Sequence, residues 1–264
     1  MPSPRTFFQS LFLLITAGCA TRPINPSFPL NVDDANRALT EMEHHPKPLV
    51  RPVLIVGGFM EPGLMPPSVK SRLTPLFTGS PGKYFSTLTL ITAFNFDGCR
   101  QRLIAAVDAR YPSSDPTCTA EVDVIAISMG GLAAYYAATP LPDQRRLRIA
   151  RLFTIASPLR GARLAPLPTL SPLQKDMRPG STFLTSLPAA DYPIIPYTRL
   201  GDELVGESNA SPPGTPPWWL PNRPFQSSHL QAYSDPRILA DIARRLRGEP
   251  TFTHDPPHAL PDSP

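Results

Sequence analysis

The stretch Val122-Asp-Val-Ile-Ala-Ile-Ser-Met-Gly-Gly131 is a mostly apolar run that ends in a serine, with Ala126 two residues before Ser128 and Gly130 two residues after it. A serine at the join of a buried strand and a small-residue helix is a nucleophile elbow, here with alanine at the first of the two small positions. Small neighbours let the turn tighten against adjacent backbone, which lifts the hydroxyl above the end of the strand. The helix that starts at once directs its positive N-terminal end toward the same place. The chemistry expected is attack by the Ser128 hydroxyl on an acyl carbon.

A hydroxyl needs a base to take its proton and an acid to orient the base, and after an elbow these follow in the order Asp or Glu, then His. The histidines downstream are His229, His254 and His258, the last two within a proline-rich terminus. His229, in Ser227-Ser-His-Leu230 ahead of the final amphipathic segment, is the expected base. For the acid, Asp202 follows Gly201 in a turn after a strand, and Glu203 and Asp191 are its rivals. An oxyanion needs main-chain donors. Val53–Val56 leads into Gly57-Gly58, so the N–H groups of Phe59 and Met129 are the expected pair. A glycine turn lets backbone approach a substrate closely.

These groups need a scaffold that brings them to one edge. Val53–Val56, Phe85–Phe94, Val122–Ile127, Ile149–Ala156 and Pro193–Leu200 read as strands. Helical spacing appears over Cys99–Arg110, Met129–Thr139 and Pro236–Leu246, with a short helix around Asp33–His44. Alternating strands and helices predict an α/β fold, a mostly parallel sheet with helices on both faces. Between Ser157 and Tyr192, leucines and Phe183 broken by proline and glycine predict a lid-like insertion (157–192) over Ser128. A second proline-rich arm, Ser211–Pro224, carries Trp218 and Trp219 and is expected to form the opposite wall. The domain expected from these signals spans 49–247.

Proline is the compositional anomaly, 37 in 264 residues, crowded at both ends. It bars helix interiors and central strands, so 19–48 reads as a tether and lead-in and 248–264 as a disordered tail. The net charge of +4 is diffuse. The cluster Arg145, Arg146, Arg148 and Arg151 lacks interleaved aromatics, and no nucleic-acid partner is expected. His44 and His45 stand without further ligands, so neither a metal nor a cofactor is expected. The first residues, 1–18, read as a signal peptide: Arg5, then an apolar run from Phe7 to Ile15 too short to span a bilayer. Thr16-Ala-Gly-Cys19 resembles a bacterial lipobox, with Thr16 where leucine is usual, and implies lipidation of Cys19, a membrane anchor and a place in the cell envelope. That leaves Cys99 and Cys118 as an even pair, expected to bridge in an oxidising compartment.

Four segments carry a more specific resemblance: Ile55-Val-Gly-Gly-Phe59, Ala126-Ile-Ser-Met-Gly130, Thr154-Ile-Ala-Ser-Pro-Leu-Arg-Gly161 and Arg199-Leu-Gly-Asp-Glu-Leu-Val205. Together they resemble the bacterial lipase-like branch of the α/β hydrolases, over roughly Leu49 to Leu246. The resemblance implies the α/β-hydrolase fold and a triad of Ser128, Asp202 and His229 acting on a small-molecule or lipid ester. The departures are Ala126, Leu159 where histidine is frequent, and a Gly-Gly turn without a leading histidine. Two other readings use the same fold: an envelope acyltransferase or deacylase with the same triad, and a binding protein that has lost catalysis.

Overall fold

The computed structural model describes residues 23–79, 81–223 and 225–261. The segment read as a signal peptide, and Cys19, lie outside the described residues. The elements in chain order are α1 (Val32–His44), β1 (Lys47–Pro48), β2 (Val53–Val56), α2 (Met65–Leu73), β3 (Phe77–Thr78), α3 (Pro81–Tyr84), β4 (Phe85–Leu88), α4 (Phe96–Asp108), β5 (Val122–Ile127) and α5 (Met129–Ala138). They continue with β6 (Ile149–Ile155), α6 (Pro172–Asp176), α7 (Thr182–Ser186), β7 (Ile194–Arg199), β8 (Trp218–Leu220), α8 (Ser228–Ala232) and α9 (Pro236–Arg247).

Six strands form one all-parallel sheet in the order β4-β2-β5-β6-β7-β8, beside a small β1-β3 pair. Side chains alternate across a strand, and β2 and β5 are apolar on both faces because both are covered. Val53, Ile55, Ile125 and Ile127 join Ile238, Leu239, Ile242 and Leu246 of α9 in one core. Leu54, Val56, Val124 and Ala126 join Leu103 and Val107 of α4 and Leu132 of α5 in the other. Parallel strands covered by helices on both faces are the α/β architecture that the strand and helix signals predict, and the α/β-hydrolase fold that the resemblance implies.

The sequence misplaces the ends of this body. Asn25 and Phe28 are buried and α1 packs on α9, so the lead-in belongs to the domain from about Asn25 onward. The tail expected to be disordered is a strap over most of its length. Asp241, fully buried, accepts from the amides of Phe252 (2.7 Å) and Thr253 (3.1 Å), and also from Tyr197 Oη (2.6 Å) and Arg245 Nε (2.9 Å). A buried carboxylate needs such partners, and the strap supplies two of them. Farther on, His254 N donates to Ser27 O (2.8 Å), and Trp219 Nε1 donates to His258 O (3.0 Å). Proline keeps this segment out of a core but leaves it free to lie along a surface as extended chain.

Two strands also differ. Only Phe85–Leu88 of the expected Phe85–Phe94 pairs, because the chain turns over at Leu90, whose carbonyl accepts from Ala93 N. Trp218–Leu220 is an unexpected strand at the sheet edge, where flanking prolines cost no ladder bonds.

The expected Cys99–Cys118 bridge is absent: both are free thiols. Cys99 faces the core between α4 and the sheet, whereas Cys118 sits outside that cluster in the segment entering β5. Burial pushes the Cys99 thiol up to about 12, and a protonated thiol is a poor nucleophile. Alkylation of the native protein at mild alkaline pH should therefore spare Cys99. In denaturant without reductant both peptides should alkylate fully. A disulfide-linked Cys99–Cys118 peptide in a non-reducing digest would contradict this.

Candidate active site

β5 delivers Ser128 to the C-terminal edge of the sheet in a strained turn, φ 53° and ψ −130°. A non-glycine residue holds such angles only where its surroundings impose them. Those surroundings are tight. A β-carbon on Gly130 would lie 2.6 Å from Gly57 O, and one on Gly58 would lie 3.0 Å from Ser128 Cβ. The Gly57-Gly58 turn and the elbow are therefore in direct contact, and at position 130 a side chain would have to displace backbone. Ala126 fits because its methyl group faces the α4–α5 core rather than the turn.

β7 ends at Arg199 and the chain turns through Gly201, φ 70°, into Asp202. Asp202 Oδ1 accepts from Leu204 N (3.0 Å) and Val205 N (2.9 Å), which fixes the carboxylate. α8 carries His229 and is tied to the same turn through Ser228 Oγ, which donates to Leu200 O (2.8 Å). His229 Nδ1 lies 2.9 Å from Asp202 Oδ2 and 3.1 Å from Oδ1. Its Nε2 lies 3.0 Å from Ser128 Oγ. Asp202 is 1% and His229 6% exposed, so the contact between them is shielded from water.

The two rival acids lie elsewhere. Asp191 is exposed and paired with Arg146 at 3.1 Å. Glu203 accepts from Ser227 Oγ and, through Oε2, from Ser228 N (3.1 Å) and His229 N (3.4 Å). Burial raises its carboxyl, and these hydrogen bonds outweigh that and hold it below the usual glutamate range. Glu203 therefore anchors the first turn of α8 and leaves the imidazole to its neighbour.

Met129 follows Ser128 in the chain and Phe59 lines the same cavity, and neither amide donates to a protein acceptor among the described residues. Met129 N–H is the first of α5, one of the amides a helix leaves open. A cavity of about 420 Å³ opens in front of Ser128. Phe59, Met60 and Met65 line one side, and Leu164, Leu167 and Met177 of the insertion line another. Gln174, Glu61, Ser128 and His229 are its few polar neighbours.

The insertion is thus divided. Its first half covers the cavity, while Phe183 of α7 stacks on Phe96 of α4, ring centroids 4.3 Å apart, and packs away from it. Trp218 and Trp219, expected as the opposite wall, are buried in β8 and absent from the lining. The wall facing the insertion is the loop after β2. Within that loop Glu61 is a site residue the sequence reading missed. The signal was present in an acidic residue just ahead of Pro62-Gly63 and of the Pro66-Pro67 start of α2.

No family model matches the chain, and no curated protein matches it. Among solved structures it is similar to a "putative cell surface hydrolase" of Lactobacillus plantarum WCFS1, at 16% identity and a TM-score of 0.45, over 76% of this chain and 93% of that one. Likeness this distant says nothing of chemistry.

Proposed function

We propose that this chain is a serine hydrolase that cleaves carboxylic esters with lipid-like acyl groups. The observation that carries the reading is the relay Ser128 Oγ to His229 Nε2 (3.0 Å), His229 Nδ1 to Asp202 Oδ2 (2.9 Å), at the floor of an apolar cavity. His229 takes the proton as Ser128 Oγ bonds to the ester carbonyl carbon. Asp202 accepts from Nδ1–H, holds the tautomer that leaves Nε2 free, and stabilises the imidazolium without becoming protonated. The carbonyl oxygen becomes an oxyanion facing the amides of Phe59 and Met129. Collapse expels the alcohol with the proton from Nε2 and leaves an acyl-Ser128. Water, deprotonated by the same histidine, then releases the acid.

Labelling of Ser128 by a fluorophosphonate probe, lost in protein pre-treated with an ester-forming inhibitor, tests the assignment. Absence of labelling would favour the binding-protein reading. Cys19, beyond the described residues, is proposed as the site of lipid attachment, and the cell envelope as the location, on the lipobox-like Thr16-Ala-Gly-Cys19 alone.

The lining sets the expected acyl preference. Each methylene buried contributes about 0.8 kcal/mol, so butyryl over acetyl should gain roughly tenfold in kcat/KM. Hydrolysis of p-nitrophenyl acetate, butyrate and octanoate checks this. A clear preference for acetate would mean that Leu164, Leu167 and Met177 do not build an acyl site.

A further inference from the structure

Glu61 is 3% exposed in the loop between β2 and α2, and the reaction above gives it no task. Its Oε1 accepts from the amides of Gly63 (2.9 Å), Leu64 and Met65 (2.8 Å). These are amides that the start of α2 leaves open, and Leu64 at the N-cap supplies no side-chain acceptor. The Glu61 carbonyl accepts from Thr89 Oγ1 at 2.6 Å, just past the end of β4. The residue is thus fixed at both its side chain and its backbone.

What it is fixed against is the oxyanion loop. Glu61 Oε2 is buried with no hydrogen-bond partner among the described residues, and a β-carbon on Gly57 would lie 2.5 Å from it. The other side of Gly57 meets α5, since a β-carbon on Gly130 would lie 2.6 Å from Gly57 O. The turn is gripped between the first turn of α5 and the Glu61 carboxylate. Met60, between the turn and Glu61, has φ 54°, a left-handed conformation that a long side chain keeps only under constraint. Phe59 lies in the chain between the grip on Gly57 and the anchor at Glu61, so the segment that carries its N–H is held at both ends.

We infer that Glu61 is a positioning residue for the oxyanion site, holding the 57–60 loop so that Phe59 N–H meets the developing charge. The inference rests on the serine-hydrolase reading. A carboxylate suits the task because charge-assisted bonds to several amides at a helix start are stronger than neutral ones.

The test compares Glu61→Ala, Glu61→Gln, Gly57→Ala and the Gly57→Ala/Glu61→Ala double variant. Each is assayed for p-nitrophenyl butyrate kinetics and for inhibition by an alkyl boronic acid, which forms a tetrahedral adduct on serine. Complete loss of an oxyanion donor costs roughly a hundred- to a thousandfold in kcat, so a displaced donor in Glu61→Ala should cost about tenfold or more. KM should barely move, and boronate inhibition should weaken by the same factor as kcat. Glu61→Gln keeps an Oε1 acceptor and should recover most of the loss. Gly57→Ala should reproduce the loss by displacing Oε2, and should add little once Glu61 is alanine. It also serves if Glu61→Ala does not fold. Wild-type kcat in Gly57→Ala and in any folded Glu61→Ala would overturn the inference, as would a change confined to KM with boronate inhibition intact. Wild-type protein that neither hydrolyses esters nor takes boronate would overturn the hydrolase reading as well, whereas an active enzyme indifferent to Glu61 would remove this inference alone.

Discussion

Ser128→Ala should abolish ester hydrolysis and leave the protein folded. The hydroxyl forms the bond to the acyl carbon, and nothing else at the elbow can replace it. Loss of the nucleophile in a serine protease costs on the order of a millionfold in kcat, and the same scale is expected here. The fold should tolerate the change for reasons visible at the site. Ser128 makes no side-chain cap to α5, and the hydroxyl's contact is to His229 Nε2. Gly58 approaches Cβ, which alanine keeps. Removing one such hydrogen bond should change stability by about 1 kcal/mol or less. Kinetics and a thermal melt on one preparation check both halves. A folded variant that kept more than about 1% of wild-type kcat would remove Ser128 as nucleophile.

How far the sequence reveals this site depends on how local each feature is. The elbow is written in ten consecutive residues, because an apolar strand, a serine and small neighbours are all that such a turn requires. β2 and its glycine turn are equally local. Asp202 is legible through Gly201, whose positive φ redirects the chain after β7 so that the next side chain faces α8. What Glu203 does is not legible. Its partners, Ser227, Ser228 and His229, lie some 25 residues on, and only the fold brings them near.

The same distinction explains the corrections. Two cysteines in a chain read as exported satisfy a counting rule, but whether they bridge depends on where the fold puts each, and only Cys99 lies in the core beneath α4, a long-range fact. Proline density at the C-terminus correctly forbids helix and core strand. It is silent on whether extended chain finds polar groups to lie against, and Asp241, Ser27 and Trp219 provide them. Trp218 and Trp219 looked like a cavity wall because a proline-rich arm hides a three-residue strand. Glu61 escaped notice because it belongs to no motif. Its importance comes from a carboxylate folding back onto a glycine four residues earlier.

Asp202→Asn should cost less than loss of the nucleophile but far more than Glu203→Gln or Asp191→Asn. Asp202 Oδ1 is held by the amides of Leu204 and Val205, at 3.0 and 2.9 Å. In asparagine the carbonyl oxygen would keep those two bonds, leaving the NH₂ group where Oδ2 now lies, 2.9 Å from His229 Nδ1. An NH₂ can only donate there, so Nδ1 would become the acceptor and the proton would move to Nε2. The imidazole would then face Ser128 with a proton already in place and could not take another. A wrong tautomer of this kind costs about ten-thousandfold in kcat in a comparable triad with its geometry intact. Glu203→Gln weakens the anchor of α8 but keeps an acceptor, so it should lower the melting temperature more than it lowers kcat. Asp191→Asn breaks only an exposed ion pair, whose kind contributes roughly 0–1 kcal/mol. Measuring kcat, KM and melting midpoint for the three variants separates these roles. If Glu203→Gln proved the inactive one while Asp202→Asn turned over normally, the acid would be Glu203 and the tautomer argument would fail with it.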